Sequence, residues 1–321
     1  RIKQNGDPNM SAAQADDVAR RYTVERIFHD PATGTYAAIF KNKQTQELTV
    51  AIRGTDISLN MDWVSNAYVA TGIPPSLNPQ FLALRPVINQ WIQSGALAPA
   101  STVTGHSLGG YLAAALKASF HSTFASTYTF NAPGFVQSLG GLQGVLQSIF
   151  GVPEPQAGVV DVRGSAGLSV IAGLGNHLDT LSTVEIESAG ALSFDSHSIA
   201  RLTQSLAVLK LLSELAPSLT LEQGNRLLSI ASGVANQTHE ALVGSLLRLL
   251  NGSSIAVAID DAQQLYSVIL SLNGKEATGQ YTNAAFAALA GKIGVKASDS
   301  SLGTQARTDF SAFLSLLNLN P

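Results

Sequence analysis

Residues 101–118 read STVTGHSLGGYLAAALKA: a β-rich run, a serine set between glycines, then a run of helix formers. This stretch constrains the fold more than any other. A strand and a helix meet with almost nothing between them, so the turn is sharp and Ser107 stands at its apex. Gly105 and Gly109 lack the Cβ atoms that collide when two elements approach closely. A helix opening at Leu108 points its first-turn amides, which have no partner inside the helix, at the Ser107 hydroxyl, together with the positive end of its dipole. That arrangement suits a nucleophile. A structural Gly/Ser turn is the alternative, and the rest of the chain has to separate the two.

The first half alternates strand and helix signals. Residues 36–40 and 47–53 are β-rich runs around the polar turn KNKQTQ, which predicts a hairpin. Phe81, Leu84, Ile88 and Trp91 recur at helical spacing over 79–92. Strands at 102–104, 126–130 and 158–162 follow, with the helix from Leu108 between the first two; His29 reads as preceding the strands. Strands separated by helices predict an α/β fold, a mostly parallel central sheet flanked by helices. Beyond residue 198 the pattern is helical. Ile199, Leu202, Leu206, Leu209 and Leu212 share one spacing, TLEQ at 220–223 reads as a capping box, and further helices are expected over 240–250, 261–272, 283–293 and 305–317. The expected organisation is therefore an α/β domain over 1–215 and an all-helical C-terminal region over 216–321.

Composition narrows the function classes. The chain has 321 residues, 45% of them apolar and 13% charged, with a formal net charge of −3. No basic stripe suits nucleic acid. There is no cysteine, so neither disulfides nor thiolate metal sites form, which is compatible with the cytosol and with export. The spacings HExxH and DxDxDG are absent, so the expected chemistry needs no metal and no cofactor. The opening RIKQNGDPNM has no apolar core of a signal peptide and no initiating Met, which reads as a piece of something longer. Residues 134–153 carry no charge, but Gln and Gly interrupt the stretch too often for a membrane span.

A serine nucleophile needs donors for the oxyanion of its tetrahedral intermediate, each worth about 3 kcal/mol. The Leu108 amide is one. The strand exit VAIRGTD at 50–56 offers a second, with Thr55 supplying its amide and hydroxyl.

In order and spacing, TVAIRGTD, DWVSNA at 62–67, TVTGHSLGGYLA and YTFNAPG at 128–134 resemble the class 3 lipase family of α/β hydrolases. The longer match, with GLSVIAGLG and HSIARLT at 197–203, is similar to lipase and phospholipase A1-like domains of large secreted bacterial proteins, and covers roughly residues 15–210. The resemblance implies Ser107 as nucleophile, Thr55 and Leu108 as oxyanion donors and His197 as base. It implies lipid or phospholipid acyl esters as substrate, a transient membrane or micelle surface as partner, and a secreted location. The order Ser, acid, His leaves His177 as the reserve to His197. At the acid the chain departs from the family: Asp161 occupies the place where class 3 lipases carry Asn, and the positions three and four later are Gly164 and Ser165. Asp161 is the candidate, with Asp179 and Asp195 as alternatives. Leu139, Leu142, Leu146, Ile149 and Phe150 make an apolar stripe that is either a lid over the acyl site or a core helix. Residues 70–77 are a second rim candidate. A membrane-associating toxin or effector module with weak or lost hydrolysis, and an acyltransferase using the same serine, are the competing readings. Nothing in the helical tail identifies a partner for it.

Overall fold

The polar turn KNKQTQ closes a hairpin through its first asparagine: Asn42 Oδ1 accepts the amides of Gln44 and Thr45 at 2.9 and 3.1 Å. This is seen in a computed structural model. It describes residues 12–54, 75–135, 157–165, 181–186, 197–215 and 262–272, together with 220–222, 224–225, 228, 239–240 and 242–244. The hairpin strands are β2 (Thr35–Asn42) and β3 (Leu48–Ile52), antiparallel with Ala37 opposite Ile52. Before them come helix α1 (Ala12–Arg21) and strand β1 (Tyr22–Asp30), which pairs antiparallel with β2.

β1 contains His29, so that residue lies inside the sheet rather than ahead of its strands. The alternation that signals a half-buried strand is missing from β1 because it is an edge, exposed along most of its length, with Val24 and Ile27 both more than half exposed. A register shift between Val24 and Arg26 leaves Glu25 as an extra residue, a bulge that keeps a long edge from pairing with another chain.

The expected helices and strands follow, α2 (Pro79–Gln93), β4 (Ser101–His106), α3 (Leu108–Ser119), β5 (Phe124–Phe130) and β6 (Val159–Gly164), and then an unexpected strand, β7 (Leu181–Val184). Asn78 starts α2, its Oδ1 accepting the amides of Gln80 and Phe81, with Pro79 in the first turn where no amide is needed. The seven strands lie in chain order, and β3, β4, β5 and β6 run parallel. Sequential parallel strands joined by right-handed crossovers put successive helices on one face. The core lies there: Ala37, Ile39, Val50, Ile52 and Val103 of the sheet meet Phe81, Leu84, Ile88 and Trp91 of α2 and Leu112 and Leu116 of α3. Each large side chain buried this way contributes about 1.5–3 kcal/mol.

Two compact units divide the chain. One comprises Asp17–Gly164 with Leu168–Thr183; the other comprises Arg1–Asp16, Ser165–Gly167 and Val184–Pro321. The second holds α4 (Ile199–Leu215) and α5 (Ala262–Leu272). It buries Leu202, Val208, Leu211 and Leu212 of α4 and Leu265 and Ile269 of α5. The Gly224 amide donates to Thr220 O at 2.9 Å, a helical turn opening at TLEQ. Residues 239, 240 and 242–244 are helical too. The helices expected over 283–293 and 305–317 lie outside the described residues.

Candidate active site

Ser107 joins β4 to α3 with φ of 55° and ψ of −130°. A non-glycine residue in that region carries strain of order 1–3 kcal/mol, which persists only where the surroundings impose it. Here they do. The Ser107 amide donates to Phe130 O on β5 at 2.9 Å, and the Ser107 carbonyl accepts the amides of Gly110 and Tyr111 at 2.9 and 3.3 Å. The serine is therefore the N-cap of α3, yet its side chain makes no capping bond.

Glycines permit the close approach. A Cβ on Gly105 would lie 2.2 Å from the Gly109 carbonyl atoms, and one on Gly109 would lie 2.4 Å from Ile52 O. A Cβ on Gly110 would lie 2.5 Å from the Ala132 Cβ. α3 thus rests directly on the backbone at the ends of β3 and β4, and it buries ten of its residues, Leu108 to Lys117. Lys117, itself buried, donates to the Phe124 and Ala125 carbonyls near the start of β5 and ties down the helix's other end.

The Leu108 amide is the first of α3, beside the serine, where an oxyanion donor has to be. Thr55 lies outside the described residues. Its neighbour Gly54 does not: a Cβ there would sit 2.6 Å from His106 O and 3.3 Å from the Ser107 Cβ, so the exit of β3 runs against the elbow.

Asp161 is buried inside β6, opposite Thr129 of β5, whose hydroxyl donates to Asp161 Oδ1. Sequence reasoning placed a carboxylate here without its partner. Thr129 is legible only through the strand register. Asp179, Asp195 and His177 lie outside the described residues. His197 is buried, two residues before α4, in the second unit. Of the apolar stripe, 139–150, nothing is described. Of the second rim candidate, only Pro75–Leu77 is, a 3₁₀ turn with Pro75 buried and Leu77 about half exposed. Among the described residues no helix is long and apolar enough to cross a membrane.

Residues 2–140 match a family described as phospholipase-like, the Tle-like phospholipase domain. No curated protein matches the chain. Among solved structures, the Lip2 lipase from Yarrowia lipolytica is 16% identical with a TM-score of 0.36, over 55% of this chain and 69% of that one. A triacylglycerol lipase from Penicillium expansum is 19% identical with a TM-score of 0.37, over 51% and 70%. The Rhizomucor miehei lipase propeptide complex is 16% identical with a TM-score of 0.35, over 53% and 57%. Residues 2–140 resemble the Tle-like phospholipase domain, and the described strands form a mostly parallel sheet flanked by helices, an α/β fold.

Proposed function

We propose that the protein hydrolyses acyl esters of phospholipids through an acyl-enzyme on Ser107. The observation that carries this reading is the left-handed backbone of Ser107 at the β4–α3 junction. The family match over 2–140 supports a phospholipid over a triacylglycerol substrate. Ser107 Oγ attacks the ester carbonyl and passes its proton to His197. The amides of Leu108 and Thr55 hold the oxyanion. The imidazolium then returns the proton to the departing alcohol as the ester C–O bond breaks. Water, activated by the neutral imidazole, cleaves the acyl-enzyme and restores Ser107. Asp161 is the acid of this proposal and holds the imidazole tautomer.

The 1–215 hydrolase and 216–321 helical division, the lipid surface as partner, and action as an exported bacterial effector belong to the same proposal. Ser107→Ala is expected to abolish hydrolysis of a soluble short-chain ester, a triacylglycerol and a phospholipid while the fold is retained. Full activity in that variant overturns the assignment of the nucleophile.

One observation favours a second reading, an effector module with weak hydrolysis: Asp161 stands within β6 and not beyond its end. A fluorophosphonate separates the two, because an adduct on Ser107 requires a working base. Absence of the adduct on folded protein favours the effector module.

A further inference from the structure

Asn131 directly follows β5, fully buried, with φ of 46°. Left-handed backbone at that position favours Gly, Asn or Asp, and glycine meets the requirement with the least strain. What asparagine adds is its side chain. Asn131 Oδ1 accepts the buried amide of Gly164, the last residue of β6, at 2.9 Å.

The strand register shows what that bond replaces. The Thr127 amide donates to Gly158 O at 2.7 Å and the Asn131 amide to Val162 O at 2.8 Å, two rungs of one parallel ladder. The ladder continued by one step would give the Gly164 amide to the Asn131 carbonyl. The left-handed turn swings that carbonyl aside, and Oδ1 of the same residue takes the rung. Immediately before it, Phe130 O accepts the Ser107 amide. Asn131 therefore bonds to the end of β6, which carries Asp161, and adjoins the residue that anchors the nucleophile.

We infer that Asn131 is a positioning residue of the active site, holding the end of β6 in register with the nucleophile elbow. The inference rests on the proposed serine mechanism with Asp161 as the acid. Once the side chain is lost, β6 ends without its last rung, the buried Gly164 amide has no acceptor, and the strand end that carries Asp161 shifts, so that the bond from Thr129 alone positions the carboxylate. An imidazole with a displaced carboxylate binds its proton less tightly, so the acidic limb of the pH profile moves to lower pH.

The test compares wild type, Ser107→Ala, Asn131→Gly and Asn131→Asp on a soluble ester. kcat is expressed per site titrated with a fluorophosphonate, so that a smaller folded fraction does not enter. Asn131→Gly keeps the backbone and loses the acceptor. It is expected to lose about tenfold or more in kcat with KM within about twofold, and to shift the acidic limb of kcat/KM downward. Asn131→Asp keeps an acceptor and a side chain that tolerates the left-handed region, and is expected to retain most of kcat. Wild-type kcat in Asn131→Gly, or a loss with the acidic limb unmoved, overturns the inference. If Asn131→Gly does not fold, Asn131→Asp decides: loss of kcat beyond tenfold in that variant overturns it. An inactive wild type instead sinks the proposed function itself, a separate outcome from either.

Discussion

Ser107 and Phe130 are joined by one backbone hydrogen bond, 2.9 Å from the serine amide to the phenylalanine carbonyl. It pins the serine at the carboxyl edge of the parallel strands while α3 presses on the same residue from the other side. The strain at Ser107 follows from these two constraints together. Neither the strand nor the helix adopts that conformation by itself.

Replacing Ser107 with glycine is expected to remove that strain along with the nucleophile. Ser107→Gly should unfold at higher denaturant concentration than wild type, with stability raised by about 1 kcal/mol, and should have no esterase activity. A midpoint unchanged or lowered relative to wild type would show that the backbone at 107 is relaxed.

Two threonines on β5 are expected to respond in opposite ways to the same change. Thr127 is completely buried and its hydroxyl has no hydrogen-bond partner among the described residues, so Thr127→Val removes a desolvated oxygen from a site of the same shape and should leave stability equal or raise it by about 1 kcal/mol. Thr129 donates to Asp161, so Thr129→Val should lower kcat by about tenfold, equivalent to about 1.4 kcal/mol. Chemical denaturation and steady-state kinetics of both variants check the contrast. Equal behaviour of the two would remove Asp161 from the mechanism.

Tyr111 is buried on α3 with its ring 4.9 Å from that of Phe135, and burial pushes its phenol well above the usual value. The folded state therefore keeps the proton at a pH where the unfolded chain has begun to release it. Stability from this group is fully present below about pH 10 and is lost as pH climbs from there toward the folded value. Thermal unfolding between pH 9 and 11 should show a steeper fall for wild type than for Tyr111→Phe. Parallel slopes would mean that the phenol ionises alike in both states.

Much of the site is written locally. Gly105, Ser107 and Gly109 need only their neighbours to mark a strand, a sharp turn and a helix, because Gly105 lets the strand meet Gly109 within that one unit, while the clearance of Gly109 against the end of β3 is tertiary. The alternation of β-rich and 3.6-periodic runs likewise determined an α/β layer, since each element's buried face repeats with its own period. β1 escaped because an exposed edge has no buried face to set a period. The partners of Asp161 escaped for another reason. That Thr129 faces Asp161, that Asn131 takes the rung at Gly164 and that Phe130 holds Ser107 are all consequences of register, which pairs residues far apart in the chain. No local pattern encodes which residues meet across strands. The sequence by itself determined that Ser107 would stand at a strand–helix turn. The tertiary structure decided how it is held there, because the bonds that hold it join strands distant in the chain.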